Sequence, residues 1–275
     1  MRTGMNNTRI GRRFAELREK NEPALVAYIT AGDPSLAATV GLVAALERGG
    51  ADIIELGVPF SDPIADGPVI MRGSERALAN GASLRGVLDC AAKIRESSEV
   101  PILLFSYLNP LMRYGFAKLA VDAKAAGVDG VLMTDASVEE AAPYVKTIRE
   151  AGLDTVFLAA PTSTPERLAL VGRFSSGFVY LVSRTGVTGE QDELSAQALP
   201  LVTAMRAHTD LPVAMGFGIA KAADAEAVGR MADGVVVGSA FVRVIEKYAG
   251  TREMEDKLEA LARELKTGAL RGRIR

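Results

Sequence analysis

Residues 127–160 read GVDGVLMTDASVEEAAPYVKTIREAGLDTVFLAA. Two short apolar runs, 130–133 and 154–159, flank a longer amphipathic stretch over residues 137–152. The runs show no polar alternation, which is typical of parallel strands that are buried on both faces. The segment therefore predicts one strand–helix–strand unit of a parallel α/β fold.

The same unit recurs along almost the whole chain. Asp129 and Asp154 lie 25 residues apart, and the 79 residues from Asp154 to Asp233 hold three units of similar length. The glycines Gly50, Gly127 and Gly152 are placed to end a helix in the left-handed conformation just before a strand. The apolar runs predict eight strands, at residues 24–30, 52–57, 101–107, 130–133, 154–159, 177–182, 212–216 and 234–238.

Eight strand–helix units without a linker rich in proline, glycine or serine predict a single (β/α)8 barrel domain over residues 1–275. A doubly wound open sheet is the alternative. Such a sheet usually carries a glycine-rich fingerprint after its first strand, and residues 30–34 (TAGDP) do not match it.

Three further features are predicted in addition to the eight strand–helix units. Segment 8–19 predicts an extra N-terminal helix that closes the bottom of the barrel. The 77 residues between Asp52 and Asp129 hold only two strand starts, which predicts an insertion of about one unit after the second strand. Residues 1–7 and 268–275 are expected to be flexible ends.

The composition excludes several classes of function. Lys+Arg 32 against Asp+Glu 34 leaves a formal net charge of -2, which disfavours nucleic-acid binding. The single cysteine, Cys90, and the single histidine, His208, exclude a Cys-rich zinc site and a multi-histidine metal site. No stretch approaches the roughly 18 apolar residues of a membrane helix, and the N-terminus lacks a secretory apolar segment. We expect a cytoplasmic protein without a metal.

Glu55 is the first candidate for chemistry, because active residues of these barrels lie at the carboxyl ends of strands. Side chains alternate along a strand, so Ile53 and Glu55 share a face that we expect to point into the lumen. A carboxyl group there is either paired with a neighbouring hydroxyl or arginine, or it has a raised pKa and acts as an acid or base. Its strand-end position and apolar flanks favour the second reading.

The segment after Glu55, residues 57–68 (GVPFSDPIADGP), holds three prolines and two aspartates. Proline stiffens a loop, so Asp62 or Asp66 is placed to be held over the barrel mouth. The alternative is that both aspartates cap turns or the next helix. Residue chemistry alone leaves the two readings even.

Glycines after the last two strands indicate a phosphate site. Gly216-Phe217-Gly218 ends the seventh strand, and residues 234–239 (GVVVGS) end the eighth. Phosphates in these barrels often bind there, on backbone N–H groups at a helix N-terminus. Gly218 permits close backbone approach, while Gly238 and Ser239 offer N–H groups and a hydroxyl.

Two more observations concern a candidate lid and the reaction mechanisms that the sequence allows. Residues 183–190 (SRTGVTGE) suit either a lid that closes over substrate or a long solvated loop. No lysine falls in the eight predicted strands, which argues against a Schiff-base aldolase. Carbon–carbon chemistry here would run on carboxylates alone, with neither imine nor metal.

These motifs resemble the tryptophan synthase alpha subunit family. The resemblance is carried by residues 55–68, by Tyr107-Leu108-Asn109-Pro110 with Tyr114-Gly115, by residues 183–189 and by residues 216–219. It runs in order from about Ala27 to Phe241. One departure is visible: residues 134–137 (TDAS) stand where the family commonly has Pro-Asp-Leu-Pro.

The resemblance implies retro-aldol cleavage of indole-3-glycerol phosphate to indole and glyceraldehyde 3-phosphate. It implies Glu55 as proton shuttle, Asp66 as partner of the indole N–H, Tyr180 as a positioning residue and Thr188 as the lid residue that meets Asp66. The remaining expected substrate contacts are the phosphate residues Gly189, Phe217, Gly218, Gly238 and Ser239, and the indole-slot candidates Tyr28, Phe105 and Leu132. For the three slot candidates, membership of the barrel core is nearly as good a reading.

The loop after the third predicted strand, residues 108–116, is unusually apolar and predicts an interface, unless it folds down over the barrel rim. The resemblance implies docking on a pyridoxal-phosphate-dependent beta subunit in an alpha2-beta2 heterotetramer, with no cofactor in this chain. The expected interface residues are Pro59, Asp62, Asn109, Pro110, Leu111 and Met112. A stand-alone lyase that releases free indole and a non-enzymatic phosphate-metabolite-binding barrel are the alternatives.

Overall fold

The computed structural model describes residues 8–182, 191–216 and 218–273. In these residues nine parallel strands form one sheet in the order β5-β4-β3-β2-β1-β9-β8-β7-β6. The strands are β1 Ala24–Thr30, β2 Ile53–Gly57, β3 Ile102–Ser106, β4 Gly130–Met133, β5 Asp154–Val156, β6 Leu158–Ala159, β7 Val179–Val182, β8 Val213–Gly216 and β9 Gly234–Val237.

The sheet curls into a nearly closed barrel, which confirms the predicted (β/α)8 class. Its two edge strands, β5 and β6, are consecutive in the chain and are separated only by Phe157. The backbone N–H of Phe157 donates to the Ser175 hydroxyl at 3.2 Å, and that of Thr155 donates to the Ser176 hydroxyl at 3.0 Å. These two N–H groups therefore bond to side chains instead of to the backbone of a neighbouring strand, and the fifth predicted strand is split in two.

The helices cover the outside of the barrel, and two of them, α3 and α4, separate β2 from β3. Gly50, Gly127 and Gly152 have φ values of 96°, 79° and 74°, which confirms their prediction as left-handed caps. The helices are α1 Arg9–Glu19, α2 Leu36–Arg48, α3 Pro68–Ala79, α4 Leu84–Arg95, α5 Leu108–Tyr114, α6 Phe116–Ala125, α7 Ala142–Glu150, α8 Pro165–Phe174, α9 Gln191–Arg206, α10 Ala222–Gly229, α11 Ser239–Tyr248 and α12 Met254–Arg271.

Alternation along the strands divides the core into two clusters. The inward-facing residues form a lumen cluster with α1, whose Phe14 ring lies 5.5 Å from the ring of Phe178. Arg13 of α1 also pairs at 2.6 Å with Asp52, whose other oxygen accepts from the Leu25 N–H of β1. The predicted N-terminal helix therefore closes the barrel bottom. The outward-facing residues pack against the outer helices.

Residues 268–271, the first part of the segment 268–275 that is predicted to be a flexible end, belong to a helix. Helix α12 continues to Arg271, and Gly268 and Ala269 are buried. A side chain at Gly268 would collide with the Ala222 carbonyl of α10, so the two helices pack closely there. Apolar contact with α10 therefore holds this segment against the barrel. In the described part of the chain, no helix is long and apolar enough to cross a membrane.

Candidate active site

Glu55 lies in the middle of β2, in register with Tyr28 of β1 and Leu103 of β3. It lies two residues after Ile53 and therefore on the same face of the strand. Because Ile53 is a member of the lumen cluster, Glu55 faces the lumen as predicted. Its exposed fraction is 0%, and neither carboxyl oxygen has a hydrogen-bond partner among the described residues. Burial without a partner raises the pKa of Glu55 to about 8. At neutral pH the group is an acid with a proton to give.

Asp66 lies on the loop between β2 and α3, directly before Gly67 and Pro68 at the start of that helix. Burial raises its pKa to about 6, and a hydrogen bond from Tyr107 opposes part of this rise. At neutral pH Asp66 is therefore largely ionised while Glu55 is largely protonated. Both carboxyl groups act on the hydroxyls of Tyr28 and Tyr180, and two such groups with separated pKa values are suited to act as base and acid.

Tyr107 is a site residue for which the sequence alone suggested no role. It follows β3, and its hydroxyl accepts a hydrogen bond of 3.0 Å from the Ala65 N–H, one residue before Asp66. Burial and the nearby Asp66 carboxylate raise the pKa of the Tyr107 hydroxyl. The available signal was its position immediately after a barrel strand, where active residues concentrate.

Two further tyrosines, Tyr28 and Tyr180, cross the lumen toward strand ends that are glycines. A Cβ atom on Gly216 would lie 2.7 Å from the Tyr180 hydroxyl oxygen, and one on Gly57 would collide with the Tyr28 hydroxyl. Burial first, and then the charges of Glu55 and Asp66, raise the pKa of both tyrosines well above its ordinary value. Both hydroxyls are thus neutral donors beside the two carboxyl groups.

The three candidates for an indole slot lie at the same level of the barrel. Phe105 is in register with Gly57 and Leu132, and its ring meets the Tyr28 ring edge-on at 5.0 Å. Leu132 has no exposed surface and belongs to the lumen cluster, whereas Phe105 is partly exposed. The structure thus places an aromatic wall beside the carboxyl groups, with Leu132 in the core behind it.

The predicted phosphate residues lie on adjacent strand ends, because Gly216 of β8 is in register with Val236 of β9. Gly218 is exposed and has φ +60°. Gly238 precedes the ten-residue helix α11, which begins at Ser239. The first N–H groups of a helix have no partner within it and favour an anion. Thr188, Gly189, Phe217 and the predicted lid at residues 183–190 lie outside the described residues.

The predicted partner surface is only partly exposed. The segment expected to be a loop forms α5, in which Leu111 is fully buried while 59% of Met112 is exposed. Leu111 packs into the core between barrel and helices, so its prediction as an exposed interface residue is wrong. Pro59 is also buried. The exposed or half-buried members of the predicted set are Asp62, Asn109, Pro110 and Met112.

A (β/α)8 barrel that holds a buried acid without a partner among the described residues, and a second carboxyl group of raised pKa near its mouth, is typical of enzymes that work by carboxylate acid–base chemistry. Residues 14–270 match the family model described as tryptophan synthase alpha chain. The chain belongs to the tryptophan synthase alpha chain family, and it is therefore an enzyme subunit of the lyase type.

Individual relatives agree with the family match. The tryptophan synthase alpha chain of Solibacter usitatus is 62% identical over 261 residues, which cover 95% of this chain and 98% of that relative. The crystal structure of tryptophan synthase subunit alpha from Legionella pneumophila has a TM-score of 0.88 at 36% identity, and covers 95% of this chain and 98% of its own. A chain of the aminoacrylate-bound tryptophan synthase from M. tuberculosis has a TM-score of 0.85 at 37% identity. The match covers 95% of this chain and 99% of that chain.

Proposed function

We propose that this chain, as the alpha chain of a tryptophan synthase, cleaves indole-3-glycerol phosphate to indole and D-glyceraldehyde 3-phosphate, with Glu55 and Asp66 as the catalytic residues. The two roles are assigned from the different pKa values and environments of the two carboxyl groups. Glu55 is buried without a partner and has a pKa of about 8, while Asp66 has a pKa of about 6. Family membership supports the substrate.

The retro-aldol step breaks the bond between indole C3 and the side chain. C3 gains a proton, the side-chain hydroxyl loses one, and its oxygen electrons form the aldehyde of the leaving glyceraldehyde 3-phosphate. Glu55 is protonated at neutral pH and donates to C3; its carboxylate then accepts the hydroxyl proton. Asp66 accepts a hydrogen bond from the indole N–H and stabilises the positive charge that develops on the ring.

The remaining residues bind the substrate. Gly218, Gly238 and Ser239 hold the phosphate on backbone N–H groups and the start of α11, together with Gly189 and Phe217. Tyr180 positions the reacting side chain, and Thr188 meets Asp66 when the lid closes. Tyr28, Phe105 and Leu132 line the indole slot.

The proposal extends to the partner. The chain passes indole to a beta chain that holds pyridoxal phosphate, in an alpha2-beta2 heterotetramer of the cytoplasm, and it needs no cofactor of its own. Asp62, Asn109, Pro110 and Met112 form the docking surface, with Pro59 and Leu111 supporting it from below. The apolar, exposed Met112 on α5 supports this surface.

An indole-release assay tests the proposal. The purified chain is given indole-3-glycerol phosphate with and without a tryptophan synthase beta chain, and a Glu55→Gln variant is assayed in parallel. The amide is nearly isosteric but transfers no proton, so we expect a loss of about 10²–10⁴-fold. Glu150→Gln, on the outer helix α7, is the matched control because its side chain is 67% exposed. Activity of Glu55→Gln within a few-fold of Glu150→Gln would contradict the proposed role.

A further inference from the structure

Tyr107 stands where three segments of the barrel mouth meet. It follows β3 directly and is the N-cap residue of α5, the helix that carries Met112. The next backbone N–H, of Leu108, donates to the Asp135 carboxylate after β4 at 2.7 Å. The Tyr107 side chain is buried, so its position is determined by these neighbours rather than by solvent.

The Tyr107 side chain also holds the loop that carries Asp66. Its ring packs on the Phe60 ring with centroids 5.3 Å apart, and its hydroxyl oxygen accepts from the Ala65 N–H at 3.0 Å. The same hydroxyl lowers the pKa of Asp66 through a hydrogen bond. One side chain thus connects the start of α5 with the catalytic loop.

We propose that Tyr107 is a positioning residue that holds the loop carrying Asp66 in front of the indole N–H and transmits displacement of α5 to it. The inference rests on the proposed function, in which Asp66 acts as a carboxylate and α5 faces the beta chain. Contact on α5 then changes the geometry of Asp66 without any partner residue entering the site.

The expected signature is a shift in the pH dependence of cleavage. The titratable groups that interact with Asp66 are Tyr107, Tyr28 from β1 and Tyr180 from β7, and Glu55 from β2 acts on the same Tyr28 and Tyr180 hydroxyls. A hydrogen bond from the Tyr107 hydroxyl lowers the pKa of Asp66. Without that bond, ionisation of Asp66 requires a higher pH.

The test is the pH profile of kcat/KM for Tyr107→Phe, measured alone and with saturating beta chain. We expect the acidic limb to move upward by about one pH unit, the usual scale for loss of a hydrogen bond to a charged group. We also expect the beta chain to stimulate this variant several-fold less. Tyr144→Phe is the matched control, because its hydroxyl donates to the Ser137 carbonyl outside the lumen. If the acidic limb of the kcat/KM profile lies at the same pH in Tyr107→Phe and in Tyr144→Phe, the inference is overturned.

A second variant keeps the test decisive if Tyr107→Phe fails to fold. Incorporation of 3-fluorotyrosine at position 107 retains the hydroxyl and makes it a stronger donor, so the acidic limb should move downward. No downward movement overturns the inference. The activity of Asp66→Asn distinguishes failure of the proposed function from failure of this inference. If the proposed function is wrong, Asp66→Asn retains full activity. If Asp66→Asn is impaired but the acidic limb of the pH profile does not move in Tyr107→Phe, only the role of Tyr107 is rejected.

Discussion

The hydroxyl of Tyr180 fits the lumen only because residue 216 lacks a side chain: a Cβ atom on Gly216 would lie 2.7 Å from the Tyr180 hydroxyl oxygen. Such a separation is shorter than any ordinary contact between these atoms. The end of β8 therefore sets where the tyrosine of β7 points. Gly216, which the sequence suggested only for the phosphate loop, acts on the reacting part of the site as well.

Gly216→Ala should lower kcat about ten-fold, because Tyr180 must tilt away from the new methyl group and misplacement of a positioning group by a fraction of an ångström is costly. Steady-state kinetics and a thermal melt measure the effect. In a Gly216→Ala/Tyr180→Phe double variant the clash with the hydroxyl is absent, so the double variant should be no less active than Tyr180→Phe alone. A full further ten-fold loss in the double variant would show that Gly216 acts independently of Tyr180.

The pKa of Glu55 makes stability depend on pH. In the unfolded chain the carboxyl ionises near its ordinary value of 4.5, while in the folded chain it keeps its proton up to about pH 8. The folded state therefore binds more protons across this window, and the free energy of unfolding should fall as pH rises through it, by at most about 1.4 kcal/mol per pH unit.

Denaturant unfolding of the unsubstituted chain and of Glu55→Gln between pH 5 and pH 8 measures this dependence. The glutamine has no proton to lose, so its curve should be flatter, and the difference between the two proteins should grow toward pH 8. Asp66, with a pKa of about 6, adds a slope of the same sign in both proteins, and this contribution ends above about pH 6. Parallel curves would mean that Glu55 has a partner in solution.

Gly218→Val should raise KM for indole-3-glycerol phosphate about ten-fold or more, with a smaller effect on kcat. No atom lies within 4 Å of a Cβ atom at this position, but φ is +60°, which a valine adopts only with strain. The backbone is then expected to turn its N–H groups away from the phosphate.

Gly250→Val is the matched control for Gly218→Val. Gly250 also has positive φ, +75°, and open space around its Cβ position, but it follows α11, whereas Gly218 lies between β8 and α10. Both variants should lose similar thermal stability, and only Gly218→Val should weaken binding of inorganic phosphate in a titration. An equal KM for the two variants would remove Gly218 from the phosphate site.

Met112→Glu should raise the Kd for the beta chain at least ten-fold, because an interface would desolvate the new charge without a partner for it. Titration calorimetry with a purified beta chain measures the affinity. Val121→Glu on α6 is the matched control: it places the same charge on a similarly exposed apolar residue, 66% against 59%. Equal Kd values for the two variants would place the docking surface elsewhere. Leu111 is unsuitable for this test because it is buried.

The sequence by itself determined the barrel. Strands that are buried on both faces must be apolar without interruption, so the runs at residues 24–30 and 130–133 gave two strand boundaries to the residue. The inward direction of Glu55 follows from side-chain alternation together with the more apolar pair, Ile54 and Leu56, which faces the helices. These features depend on neighbours in the chain, and local sequence therefore contains them.

Only the tertiary structure decided how the site is completed. The break at Phe157 depends on Ser175, 18 residues away, and the hydrogen bond from Ala65 to Tyr107 joins residues 42 apart. The burial of Leu111, and the lack of a partner for Glu55 in the part of the chain that the structure describes, likewise depend on what the fold brings beside them. Hydrogen bonds and desolvation act through space, so the pKa values that separate the acid from the base exist only once distant segments have packed together.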